Sequence, residues 1–217
     1  MKYLTWKTEV ITDFYDKNIE SMYERGFVFT RVNKGVMNQT RSFRIDLSKY
    51  EASSENRRIL RKSEHISLLV EPVPYEKYSW AVGKLAKDFY EKFGDRVFTA
   101  NKIREIITNE KKSNFNQLFV FLDTRDRTAV GYSICYKGEN ILHYSYPFYI
   151  EDPREPSRGL GMMTKTVEWA KSLGKKYIYL GSLQRPSDSY KLQFAGGEWF
   201  DGEKWQSDYE PLKEILK

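Results

Sequence analysis

Residues 117–150 read QLFVFLDTRDRTAVGYSICYKGENILHYSYPFYI. Three runs in this stretch, QLFVFLD, AVGYSICYKG and NILHYSYPFYI, are dense in β-branched and aromatic residues. Polar turns at 123–128 and 137–140 separate them, so the pattern predicts three consecutive strands. A glycine-containing loop at 156–161 follows, then a helix from about Met162 to Leu173 and a strand in KKYIYLG. Antiparallel strands leading into loop, helix and strand predict an α+β fold, with a mixed, mostly antiparallel sheet flanked by helices.

Upstream, residues 13–25 place Phe14, Ile19, Met22 and Tyr23 at helical spacing before Gly26, a stop signal. FVFTRV and SFRIDL alternate apolar and polar residues around Lys34-Gly35 and predict a hairpin. Ser53 or Ser54 starts a short helix through Arg61. ISLLVEPV is a buried-strand candidate, and helices are expected over 75–93 and 99–110. Downstream, a short helix at 187–194, a turn and strand in AGGEWF and a helix from Tyr209 complete the chain. No Gly/Ser/Pro linker interrupts it, and one domain over 1–217 is expected.

The 217 residues are 40% hydrophobic and 30% charged, with 13 Phe, 16 Tyr and 5 Trp, which excludes a disordered chain. No apolar run approaches the ~18 residues of a membrane span. The N-terminal stretch has no signal-peptide core, so a cytoplasmic protein is expected. One cysteine, Cys135, and two histidines, His65 and His143, exclude a disulfide and any cysteine-built metal centre. Neither a metal nor a resident cofactor is expected.

The net charge is +6. Residues 25–62 hold ten Lys/Arg against three acidic residues, and residues 154–191 hold eight against three. Concentrated in this way, the excess points to a phosphate-rich partner as readily as to two solvated faces.

Arg158-Gly159-Leu160-Gly161 lies between the third strand and the helix, where glycines let a backbone approach a ligand and a helix start can hold phosphate. This resembles the Arg/Gln-x-x-Gly-x-Gly/Ala signature of the GNAT acyltransferases, with Met163 at the last small position. Arg25, Gly26, Phe27, Arg44, Ile45, Tyr50, Ser54, Arg57 and Arg58 resemble the N-terminal pattern of the arginyl-tRNA–protein transferases. Tyr179, Leu180, Gly181, Tyr190, Lys191 and Phe194 resemble that family's C-terminal run. The same stretch is similar to leucyl/phenylalanyl-tRNA–protein transferases and, through YKLQFAGGEW, to Fem-type peptidyl transferases. The chain departs from the arginyl-transferases in lacking their N-terminal cysteine cluster and in having Asp188-Ser189 before Tyr190-Lys191.

The resemblance implies a GNAT-like domain, with a hairpin and helix portion at 1–72 packed on an acyltransferase core at 73–217. It implies aminoacyl-tRNA as donor and a protein or peptide amine as acceptor. Such transfer needs an oriented amine, stabilisation of the developing oxyanion and cations for tRNA phosphates. Gln184 is a candidate to hold the donor's amino group or carbonyl, Asp188 to orient the amine or act as its base, and Tyr190 to donate to the oxyanion. Lys191, Arg57, Arg58, Arg158, Gly159 and Gly161 are candidates for tRNA or phosphate binding. The residues leave open helix-cap roles for Gln184 and Asp188, core packing for Tyr190, His143 and Cys135, and a solvated face for Arg57 and Arg58. Acyl-CoA-dependent N-acylation and a non-catalytic RNA- or protein-binding module are the alternative functions.

Overall fold

The computed structural model describes residues 3–94 and 98–217. The chain forms two compact units, each from discontinuous segments: residues 1–57, 138–143 and 169–217 in the first, and residues 58–137 and 144–168 in the second.

The first unit opens with β1 (Lys7–Val10), α1 (Asp16–Glu24), β2 (Phe27–Phe29), β3 (Val36–Gln39) and β4 (Ser42–Asp46). β1, β3 and β2 form a three-stranded sheet in that order. The hairpin partner of FVF is therefore VMNQ, with Phe27 opposite Gln39, and not SFRIDL as the alternation predicts. The chain leaves this sheet after Gln39, and β4 enters a second, larger sheet. VMNQ escapes a sequence reading because it is short and half polar. Later in the chain the same unit contains β9 (Tyr177–Ser182), a 3-10 segment (Pro186–Gln193), β10 (Gly197–Phe200), β11 (Trp205–Gln206) and α6 (Glu210–Ile215). β4 sits between β10 and β9 and is antiparallel to both. Its apolar side chains, Phe43 and Ile45, are fully buried.

The second unit holds β5 (Ile66–Pro72), α3 (Trp80–Glu91), α4 (Ala100–Thr108), β6 (Gln117–Asp123) and β7 (Ala129–Lys137). Three further elements, α2 (Ser54–Lys62), β8 (Ile141–Tyr149) and α5 (Arg158–Ser172), carry residues of both units. The large sheet has the order β11-β10-β4-β9-β8-β7-β6-β5. Strands β5, β6 and β7 pair antiparallel, and β8 with β9 is parallel, the chain passing between them through α5. This is the α+β, mostly antiparallel sheet flanked by helices that residues 117–182 predict.

Two boundaries differ from the periodicity. β5 is an edge strand in which only Ile66 is buried and Leu69 is 41% exposed, rather than a wholly buried one. α3 starts at Trp80 after an extended Ser79, not at Tyr75 as the spacing predicts. α2 begins as Ser53 suggests: Asn56 N–H donates to Ser53 Oγ at 3.1 Å, and Ser53 N–H donates to Asn56 Oδ1 at 3.2 Å.

Among the described residues, no helix is long and apolar enough to cross a membrane. None of them form a group of three or more His, Cys, Asp or Glu side chains placed to hold a metal ion.

Candidate active site

The first candidate region lies where β9 ends in the first unit. Gly181, with φ +78°, takes a backbone conformation that glycine adopts without strain, and the chain turns after Ser182 into the 3-10 segment. Asp188 Oδ2 accepts the backbone N–H groups of Gln184 at 2.8 Å and Arg185 at 3.0 Å, which fixes this turn. Its other oxygen lies 3.8 Å from Lys191 Nζ. Asp188 therefore combines the expected capping function with a carboxylate oxygen directed at an ammonium.

Lys191 is buried, and Nζ donates to the Ser182 carbonyl at 2.8 Å. Burial lowers its pKa, and the Asp188 charge only partly offsets this. A lysine at 6% exposure is placed to hold the turn against β9, not to meet a phosphate in solvent. Gln184 is also engaged: Oε1 accepts Leu4 N–H at 2.9 Å and Nε2 donates to Thr40 Oγ1 at 2.8 Å. Any substrate held by Gln184 would have to exchange with these partners. Tyr190 is 43% exposed, so it is a surface side chain rather than a core one.

Beneath this segment, His143 is 2% exposed and its Nδ1 lies 2.8 Å from the Tyr23 hydroxyl. Burial, followed by the nearby Lys191 charge, pushes its pKa down to about 3. The imidazole is neutral in the folded chain and serves the core. Below the unfolded value near 6.5, the unfolded state binds a proton that the folded state refuses, so stability falls as pH drops toward 3. Replacing His143 with Gln, which still offers Tyr23 an acceptor, is expected to flatten the fall in urea-unfolding free energy between pH 6 and 4. The difference should be up to ~1.4 kcal/mol per pH unit. Parallel curves for the two proteins would sink this assignment.

The second region lies in the second unit, at the start of α5. The helix begins at Arg158 rather than near Met162, so Arg158, Gly159 and Gly161 lie in its first turns and not in a loop. The glycines permit close packing there. A Cβ on Gly161 would stand 2.1 Å from Ser63 Oγ, and one on Gly159 would stand 2.6 Å from the Tyr149 hydroxyl. Arg158 is buried; its Nε and NH2 donate to Glu155 Oε2 at 3.1 and 2.9 Å, and NH1 donates to the Ile150 carbonyl. Burial opposes ionisation of Glu155, but Arg158 and His65 outweigh it and lower its pKa. Arg158 thus fixes the loop before α5. Beside it is a cavity of about 240 Å³ bordered by Lys62, Ser63, Arg154 and Ser157. Neither Arg57 nor Arg58 borders it. Arg57 is exposed on α2, with one guanidinium nitrogen on the Ala52 carbonyl, and Arg58 is half-buried.

Sequence reasoning missed two features here. Arg61 and Lys62 close α2 as exposed cations with no ion-pair partner among the described residues, and they follow Arg57 and Arg58 by one helical turn. That i to i+4 spacing was the available signal. Tyr146, within β8, has φ +40°, and Pro147 follows without an N–H to give the ladder. A Tyr-Pro pair inside an aromatic strand-like run marks such an irregularity. Cys135 is fully buried, its thiol pushed up to about 12 by desolvation, which fits a packing residue.

No family model matches the chain. Aspartate/glutamate leucyltransferase of Ruegeria pomeroyi is 25% identical over 177 residues, covering 78% of this chain. The chain spans 63% of the length of that curated relative. Among solved structures, L-PGS from Bacillus licheniformis matches with a TM-score of 0.50 at 13% identity, over 92% of this chain and 68% of that one. FemX matches with a TM-score of 0.46 at 10% identity, over 92% and 64%. The L-PGS likeness is one of fold. The sequence likeness is to a leucyltransferase, so nothing in these comparisons supports arginine as the group transferred.

Proposed function

We propose that this chain is an aminoacyltransferase that moves an amino acid from aminoacyl-tRNA to an amine of a protein or peptide. The observation that carries this reading is the sequence likeness to aspartate/glutamate leucyltransferase over 78% of the chain. That relative's name favours leucine over arginine as the donated residue and an acidic residue as the acceptor.

In the reaction, the neutral acceptor amine attacks the ester carbonyl carbon of the aminoacyl-tRNA. A C–N bond forms, the C–O bond to the terminal ribose breaks, and the amine proton passes to the departing ribose oxygen. Positioning supplies much of the rate in such a transfer. Tyr190, exposed beside the turn after β9, is the hydroxyl in that region assigned to donate to the developing oxyanion. Asp188 is the carboxylate that orients the amine or takes its proton, and Gln184 would hold the donor after exchanging its present partners. Lys191 acts through the turn it holds and is a positioning residue.

The cavity at the start of α5 has Lys62, Arg154 and Arg158 on its border against the single carboxylate of Glu155, and this excess of cations suits a tRNA phosphate. Gly159 and Gly161 would shape it through their packing on Tyr149 and Ser63. Acyl-CoA-dependent acylation is the weaker reading, because Gly161 packs on Ser63 within a helix and leaves no open glycine loop for a pyrophosphate.

The test is incubation with total charged tRNA, one labelled amino acid at a time, and peptides that differ in their first residue. Label from leucyl-tRNA is expected on peptides starting with Asp or Glu. Absence of transfer together with absence of salt-sensitive tRNA binding would refute the reading. Neutralising Arg57 and Arg58, or Arg61 and Lys62, to Gln is expected to weaken tRNA binding. Each lost phosphate contact should reduce the slope of log K against log salt by about 0.9. Unchanged slopes would remove α2 from the tRNA surface.

A further inference from the structure

The first unit contains a cavity of about 410 Å³ whose wall includes Arg41, Trp199, Asp201, Asp208 and Ile215. Its volume is within the range of small-ligand sites. The proposed aminoacyl transfer does not use it.

Arg41 is the unusual member. One guanidinium nitrogen donates to the Leu183 carbonyl at 3.3 Å, and Nε is buried without a partner. No acidic side chain among the described residues pairs with it, and burial lowers its pKa. Arg44, three residues along, instead has carboxylates from both Glu24 and Glu198. A half-buried guanidinium lacking an anion is poised for one from outside the chain.

The rest of the wall narrows the ligand. Asp201 is spent internally: Oδ1 accepts the N–H groups of Glu203 and Lys204 at 2.8 and 2.9 Å, and Oδ2 accepts Gln206 Nε2 at 2.6 Å. Asp208 is half spent: Oδ1 accepts Glu210 N–H at 3.0 Å, Oδ2 has no hydrogen-bond partner among the described residues, and its charge acts at a distance on Lys213. A simple anion would face Arg41 but also two carboxylates, and a simple cation would face Arg41. A ligand with both charges meets neither objection. Ile215, 50% exposed, gives an apolar body something to cover, and the buried Trp199 closes the wall beside it.

We propose that this cavity binds a free α-amino acid with an apolar side chain. Its carboxylate lies on Arg41, its ammonium on Asp208 and its side chain against Trp199 and Ile215. The first residue of an acidic peptide carries the same pair of charges, and the experiment separates the two sources. The inference goes beyond aminoacyl transfer, and its readout is equilibrium binding, so it stands or falls separately from that reading.

The test is calorimetric titration of the full chain with leucine, N-acetylleucine, leucinamide and the peptide Glu-Ala-Ala-amide. Leucine is expected to bind. Blocking either charge should weaken binding by about tenfold or more, as should Arg41→Gln and Asp208→Asn; tenfold corresponds to about 1.4 kcal/mol. Asn can still accept Glu210 N–H, so Asp208→Asn keeps the cap and carries the test if Arg41→Gln does not fold. The proposal is overturned if leucine does not bind, if N-acetylleucine or leucinamide binds equally well, or if Asp208→Asn binds as the parent does. Binding of the peptide without leucine would overturn it in favour of a chain terminus as the ligand.

Discussion

Arg44→Ala is expected to lower the unfolding free energy by about 3–5 kcal/mol, the usual loss when one partner of a buried ion pair is removed. The Arg44 side chain is 6% exposed, with NH1 2.8 Å from Glu24 and Nε 2.9 Å from Glu198. Its guanidinium lies over the Tyr177 ring at 3.8 Å and over Trp205 at 4.0 Å, measured to the centroids. Burial on its own would lower the pKa of this group, but Tyr179 and Glu24 outweigh that and raise it. Alanine would remove the stacked plane and leave Glu198, itself 15% exposed, without its Arg44 partner. Arg44→Lys keeps the charge but loses the planar fork, and should recover only part of the loss. Urea unfolding of the three proteins checks this; a melting-temperature drop of about 10 °C should accompany the alanine change. A loss below ~1 kcal/mol would show that the stack contributes little.

Gly26→Ala is expected to cost about 3 kcal/mol. Gly26 follows α1 at φ +80°, where a Cβ is strained, and that Cβ would stand 2.3–2.5 Å from the ring of Phe200. Phe200 is 2% exposed and cannot simply swing into solvent. Trimming the ring in a Gly26→Ala/Phe200→Leu double variant should remove the overlap but not the backbone cost. The double variant should therefore be less destabilised than the sum of the singles, by about 1 kcal/mol or more. Strict additivity would mean that the ring is not what the Cβ meets.

These two sites also show what the sequence could reveal. Gly26 was readable as a helix stop because a glycine after an amphipathic run has a local meaning. Its contact with Phe200, 174 positions away, has none. Arg44 is legible as one of ten cations at 25–62 and as part of a family-like pattern, and neither reading gives its partners. Only the fold separates it, fully neutralised, from Arg61 and Lys62 at the exposed end of α2. The three strands at 117–150 are legible because each is dense in β-branched and aromatic residues and is set off by a polar turn. The start of α5 was not, since Gly159 and Gly161 look the same whether they open a loop or let a helix approach Ser63 and Tyr149. In the candidate site, Asp188 and Gln184 were found from their neighbours in sequence. Their hydrogen bonds to the turn, Leu4 and Thr40 depend on partners that pattern alone does not supply.

The position of β4 between β9 and β10 has a consequence during synthesis. β4 ends at Asp46, whereas its neighbours begin at Tyr177 and Gly197. About 130 residues must therefore be added before its first partner emerges, which takes on the order of ten seconds on a translating ribosome. Throughout that interval both edges of the strand lack their final partners, and Phe43 and Ile45 cannot reach their final cover. A product that ends before Tyr177 leaves both edges of β4 permanently without these partners.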